Sequence, residues 1–204
     1  MIRTLSAVSI VIISSVSIAQ GAPEDRGPRG PLVAVSAGSV LGTAWDDEGR
    51  EAGAHLGYAV ALRLGEEVLP DFSLGLEFLA GSAQGNHDKY SMTFGGLLIH
   101  ASWRPFNGAD GLLFLVGTGV GGGGLSEMDD SGFSGSIFGA LHMIGTQYDF
   151  FFGDRAGKSW TISPSVRLWA VPASGSLESQ LVTTLIGVEI TRYSGRVVKD
   201  FKDD

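Results

Sequence analysis

The 204 residues include no cysteine, which removes disulfides, thiolate metal sites and a cysteine nucleophile together. Charge is scarce as well. Asp, Glu, Lys and Arg make up 18% of the chain, against a usual value of about 25%. The balance is acidic, at a formal −8, which argues against nucleic acid as a partner. Beyond the N-terminal segment no apolar run approaches the ~20 residues that a membrane-spanning helix needs. The four His residues show no paired metal spacing, and Gly121 to Gly124 lacks the following Lys-Ser/Thr of a phosphate cradle. No cofactor is therefore expected.

Glycine is abundant, at 31 residues, and it falls inside and at the ends of alternating segments, where it suits bends and close packing. Residues 1–19 have the form of a secretory signal peptide. Arg3 supplies the basic end, Leu5 to Ile18 the apolar core, and Ser17-Ile18-Ala19 a small-x-small site before Gln20. Residues 20–31, rich in Pro, Gly and charge, read as a periplasmic lead-in. Without the signal the chain carries 13 basic and 22 acidic residues, a net −9.

The clearest alternation lies between Gly53 and Gly85. Leu56, Tyr58, Val60, Leu62 and Leu64 share one face, and Leu74, Leu76, Phe78 and Ala80 share another across a polar turn at Glu66 to Asp71. The opposite faces carry Gly, Ala, Ser and isolated charges: Arg63 in the first arm, Glu77 in the second. A half-buried sheet in water would carry many polar side chains there. Small residues with a few charges suit the inside of a narrow closed barrel, with the apolar face turned to lipid.

The same reading carries along the chain. A first strand runs from Leu32 to Thr43, its faces too alike to orient. A fourth, from Tyr90 to Pro105, turns Leu97, Ile99, Ala101 and Trp103 outward; Met92 to Gly95 breaks its register, as a bulge would. A fifth runs from Leu112 to Val120, with Gly121 to Gly132 a loop. A sixth, from Phe133 to Tyr148, has no assignable inner face, and Asp149 to Ser159 is a turn. A seventh, from Trp160 to Val171, has Arg167 on its inner face and Pro164 as a bulge or break. An eighth, from Leu181 to Tyr193, has Glu189 inside. The expected fold is all-β: an eight-stranded antiparallel up-and-down transmembrane β-barrel over residues 32–194, followed by a polar tail at 195–204. Phe72, Trp103, Phe106, Phe150, Phe151, Phe152 and Trp160 would form a periplasmic girdle, and Trp45, Tyr90 and Trp169 an extracellular one.

Trp103-Arg104-Pro105-Phe106, followed by the run from Leu113 through Gly117-Thr118-Gly119 to Gly121, resembles the aromatic-ended strand and "VGxGxG" strand of the small OmpA-like and OmpX-like outer-membrane barrels. The resemblance covers about Leu32 to Tyr193. It implies a bacterial outer-membrane location, contact with lipid and the barrel assembly machinery, and a monomer. The chain departs from the family in following Tyr193 with a polar tail.

Arg63, Glu77, Arg167 and Glu189 form the candidate site, an interior charge network that ties the lumen together; its alternative role is to gate a narrow pore. Buried charges require such pairing. His100 and Ser102 form a His-x-Ser pair similar to that of lipid A deacylase barrels, but no carboxylate follows in the fifth strand to orient the His. Asp46, Asp47, Glu48, Glu51, Glu127, Asp129 and Asp130 make an acidic extracellular rim without the spacing of a cation loop. The expectation is a non-catalytic structural or surface-interaction protein, with extracellular partners met through the loops. The alternatives are a pore, a lipid A-modifying enzyme, and a soluble lipocalin-like barrel whose apolar faces would point inward.

Overall fold

The computed structural model describes residues 30–45, 54–69, 71–85, 90–105, 111–127, 134–153, 159–172 and 180–194. The signal peptide, the lead-in up to residue 29, the acidic segment 46–53 and the tail lie outside them. The strands are β1 (Gly30–Trp45), β2 (His55–Leu69), β3 (Phe72–Gly85), β4 (Tyr90–Trp103), β5 (Leu112–Glu127), β6 (Ser134–Tyr148), β7 (Phe150–Gly153), β8 (Ser159–Val171) and β9 (Gln180–Tyr193). Each pairs antiparallel with its neighbours, and β1 pairs with β9, so the sheet closes on itself. β6 and β7 are two parts of one barrel strand, because both pair with β8 in a single continuous register. The barrel therefore has eight strands, and no described residue is helical.

Closure fixes the dimensions. Pro31 pairs with Glu66, and the row continues through Leu74, Ala101, Val116, Ile144, Leu168 and Thr184 to Leu41. One circuit thus advances β1 by about ten residues, which with ordinary strand spacings implies a tilt of about 40° and a backbone radius of about 8 Å. Side chains fill an interior of that width.

The alternation settles which face is which. Leu56, Tyr58, Val60, Leu62 and Leu64 project outward, as do Leu74, Leu76 and Phe78. Tyr58 is 68% exposed and Phe138 66%, so the lipocalin arrangement, with these faces inward, is not the one adopted. The first strand turns Val33, Val35 and Leu41 outward and Ala34, Ser36 and Val40 inward; the sixth turns Phe138 and Ile144 outward and Leu141 and Met143 inward.

Several local expectations are corrected. Met92 to Gly95 contains no bulge, since β4 keeps one register with both β3 and β5. The alternation had been obscured because Met92 and Phe94 point into the lumen. Gly121 to Gly124 belongs to β5, which continues to Glu127, and β3 continues to Gly85. The turn at Glu66 to Asp71 is shorter than expected: β2 runs to Leu69 and β3 resumes at Phe72, with Asp71 at φ 63°. Phe150 to Gly153 is strand rather than turn. Pro164 keeps its place against Val188 of β9. The break falls on its other side, where the continuous register would set it opposite Tyr148 and it has no N–H to offer. Trp169 does not join an outer girdle: it is 1% exposed and inside the lumen. At the end of the barrel where β1 begins and β9 ends, Trp103, Phe150, Phe152 and Trp160 do project outward.

Candidate functional site

The lumen is layered along the barrel axis. Nearest the start of β1 and the end of β9, Arg104 follows the last residue of β4 and is buried in the lumen. Its Nη1 donates to Glu67 Oε1 at 3.4 Å; its Nη2 donates to Asp149 Oδ2 at 2.6 Å and to the Tyr193 hydroxyl at 2.8 Å. The guanidinium also lies 5.8 Å from the Phe151 ring and 6.0 Å from the Tyr193 ring. The backbone helps: Arg104 N donates to Asp71 O, and Asp71 N donates to Glu67 Oε1 at 3.2 Å, so the β2–β3 turn fixes one of the acids. Asp149 N likewise donates to Gly111 O, holding the β6–β7 junction against β5. One cation thus gathers groups from β2, the β6–β7 junction and β9.

Above it lies the layer that brings together Arg63, Glu77, Arg167 and Glu189, all fully buried. Glu189 receives Arg63 Nη2 on one oxygen and Arg167 Nη2 on the other. Arg167 Nη1 donates to Glu77 Oε2 at 3.2 Å and to Ser36 Oγ at 3.4 Å. Gln147 joins the two layers, since its Nε2 donates to Asp149 Oδ1 at 2.8 Å and to Glu189 Oε1 at 3.0 Å. Ser163 and Thr191 supply further donors, to Asp149 at 2.7 Å and to Glu189 at 3.0 Å. Glu189 and Asp149 have partners on both oxygens, the condition under which burying a carboxylate is tolerable, whereas Glu77 is held through Oε2 and its Oε1 has no partner.

The sequence reading missed Glu67, Arg104, Gln147, Asp149 and Tyr193. A signal for Glu67 was present: it has the parity of Arg63, two pairs further along the same strand. Arg104 likewise follows Gly96, Leu98, His100 and Ser102 on the inner face of β4. Asp149 and Gln147 could be found only once the inner face of the sixth strand was known.

The third layer, toward the opposite end, is apolar. Leu98, Leu79, Leu185, Trp169, Leu141 and Phe94 are all inside and mutually packed. The Phe94 and Trp169 rings lie 6.5 Å apart at 44°. Glycines on the inner wall make room for them: a Cβ on Gly81 would come 2.8 Å from Phe94 Cε1, and one on Gly121 would come 2.8 Å from Leu141 Cδ2. The space left among Leu79, Phe94, Trp169 and Leu181 is ≈ 10 Å³, no more than about one water.

His100 and Ser102 both face the lumen. The Ser102 hydroxyl is hydrogen-bonded to that of Ser73, and neither ring nitrogen of His100 has a partner. No hydrogen bond joins the two as base and nucleophile. Among the described residues no group of three or more His, Asp or Glu could hold a metal ion. The acidic residues 46–51 and 129–130 lie outside the described residues, as does the side chain of Glu127.

No protein-family model matches the chain, and no curated protein matches it in sequence. Solved structures do match. Neisserial surface protein A superposes with a TM-score of 0.52 at 10% identity, covering 82% of this chain and 99% of that one. Ail, the attachment invasion locus protein of Yersinia pestis, gives 0.54 at 12% identity, covering 79% of this chain and 99% of its own. Both are eight-stranded outer-membrane barrels. At such identities the likeness shows the fold, and the fold is that of a small outer-membrane barrel.

Proposed function

We propose that the chain is a monomeric protein of the bacterial outer membrane whose lumen is a sealed structural core and whose working surface is its loops. The start of β1 and the end of β9 are assigned to the periplasmic end, so the connections after β1, β3, β5 and β8 would face outside. The role is non-catalytic: structural, or contact with a partner through the acidic rim of Asp46, Asp47, Glu48, Glu51, Asp129 and Asp130. Lipid covers the outward apolar face, and the barrel assembly machinery inserts the chain. The observation that carries this reading is closure in depth. A path along the axis meets Arg104 clamped by two acids, then the paired charges around Glu189, then packed apolar side chains. Ions crossing the last layer would lose hydration with nothing to replace it. Ail, one of the similar structures, is named for attachment, which is consistent with a surface role.

The test combines fractionation with planar-bilayer recording. Extraction that requires detergent, with migration that changes on heating, and no conductance steps above the bare bilayer are the expected results. Discrete, reproducible steps would replace the sealed core by a pore. Release into buffer without detergent would remove the protein from the membrane.

A further inference from the structure

The unmet hydrogen-bonding demand of the lumen is concentrated in one layer. Among the described residues, seven buried atoms around the paired charges have no protein partner: Arg63 Nε and Nη1, Glu77 Oε1, His100 Nδ1 and Nε2, Ser165 Oγ and Arg167 Nε. The clamp on one side leaves only Arg104 Nε so, and the apolar layer on the other only Trp169 Nε1. The five side chains that carry the seven atoms are all at most 4% exposed.

The strand register brings them together. Glu77 stands opposite Arg63, and His100 stands opposite Gly75, which shares the inner face of β3 with Glu77 two residues on. Ser165 lies two residues before Arg167 on the inner face of β8, opposite Gly187, itself two residues before Glu189 on β9. The His100 ring is turned to the β3 wall: a Cβ on Gly75 would come 2.7 Å from its Nε2.

A buried polar atom left unmet costs more than a made hydrogen bond gains. Seven in one layer would rival the small net stability of a whole domain. Folded proteins meet such groups with internal water. The donors and acceptors here suit water better than an ion. The two guanidiniums need acceptors, Glu77 Oε1 needs a donor, and a neutral imidazole needs one of each. An anion would face the Glu77 carboxylate, and a metal ion would face two guanidiniums. Water donates and accepts.

We infer that the charge layer is a binding site for a cluster of ordered water held by His100, Arg63, Glu77, Ser165 and Arg167. At about three hydrogen bonds to each buried water, the seven atoms call for about two or three molecules. The Arg104 clamp closes the layer on one side, and Leu98, Trp169 and Leu185 close it on the other. The water is therefore a structural component of the core. It completes the shell of Glu77, which the protein itself holds through one oxygen.

The experiment uses the full chain in two forms. Crystals grown in bromide, at a resolution that shows ordered water, read the occupants of the layer. In lipid nanodiscs, nuclear Overhauser transfer from water to the carbon-bound ring hydrogens of His100 reads the same contact in a bilayer. Wild type should show about two or three density peaks within hydrogen-bond reach of the named atoms, none with bromine anomalous signal. Transfer to the ring should have opposite signs in the laboratory and rotating frames, as it does for a held molecule. His100→Phe removes both ring nitrogens and should lose about one of the waters. Density without such peaks, or no transfer to His100 in wild type, overturns the site, and neither reading depends on whether His100→Phe folds. A folded His100→Phe that keeps every water overturns it as well, because the cluster would then be held without His100. Anomalous signal in the layer would give the site to an anion instead.

Discussion

Arg63 and Glu77 stand directly opposite each other on β2 and β3, yet Arg63 bonds Glu189 on β9, past the intervening β1, and Glu77 bonds Arg167 on β8, four strands away on the opposite wall. The cross-strand pair that would have been local is given up for one that bridges over β1 and one that spans the lumen. Glu77–Arg167 thus acts as a strut across a cylinder of about 8 Å radius, and Arg63–Glu189 ties β2 to β9 above β1.

Arg167 is the member whose loss should cost most, because it serves both Glu77 and Glu189. Arg167→Met leaves two carboxylates buried with half their compensation removed, and is expected to destabilise the barrel by about 3–5 kcal/mol. Adding Glu77→Gln should recover part of that loss, since it removes one uncompensated charge. Urea unfolding followed by the heat-modifiable band reads both. A double variant no more stable than Arg167→Met would show that Glu77 is supported mainly by other groups.

Arg104 offers a different test, because it fills the end of the barrel where β1 begins and β9 ends, away from the apolar layer. Arg104→Ala is expected to lower stability, with Glu67 and Asp149 left facing each other, but to leave planar bilayers silent. Conductance in that variant would mean that the apolar layer opens in the membrane.

These two clusters also show how far the sequence was legible. Alternation in the second, third, seventh and eighth strands was clean enough to place Arg63, Glu77, Arg167 and Glu189 inside by parity alone. It failed where both faces are apolar. Met92, Phe94 and Trp169 point inward although they look like lipid-facing residues, and the inner wall opposite them is glycine. A period of two carries no contrast when both faces lack polar groups. Asp149 was hidden for another reason: an acid beside aromatics and ahead of a Gly-Asp pair looks like a turn. Here the run Phe150–Gly153 continues the strand, and only the ladder opposite Pro164 is broken.

The apolar layer makes its own prediction about size. A side chain at Gly81 would meet Phe94, so Gly81→Val is expected to cost about 1–3 kcal/mol through overpacking. Pairing it with Phe94→Ala should return part of the loss if the two occupy the same space. Additive costs in the double variant would place the strain in the β3 backbone instead.

Trp169 finally distinguishes an inward from an outward aromatic by direct measurement. Trp103 and Trp160 project from the barrel, 55% and 49% exposed, whereas Trp169 is packed against Phe94 in the lumen. Variants that keep one tryptophan each, reconstituted with lipids brominated along the acyl chain, should separate them. The Trp103 and Trp160 emissions are expected to be quenched on contact with bromine. Trp169 lies behind the barrel wall and should keep its intensity and emit at short wavelength, as an indole in an apolar core does. Trp169 emission quenched as strongly as that of Trp103 would turn β8 over. Because a strand alternates with period two, that would carry Arg167 out into the lipid with it, which the stability of the Arg167 variant tests independently.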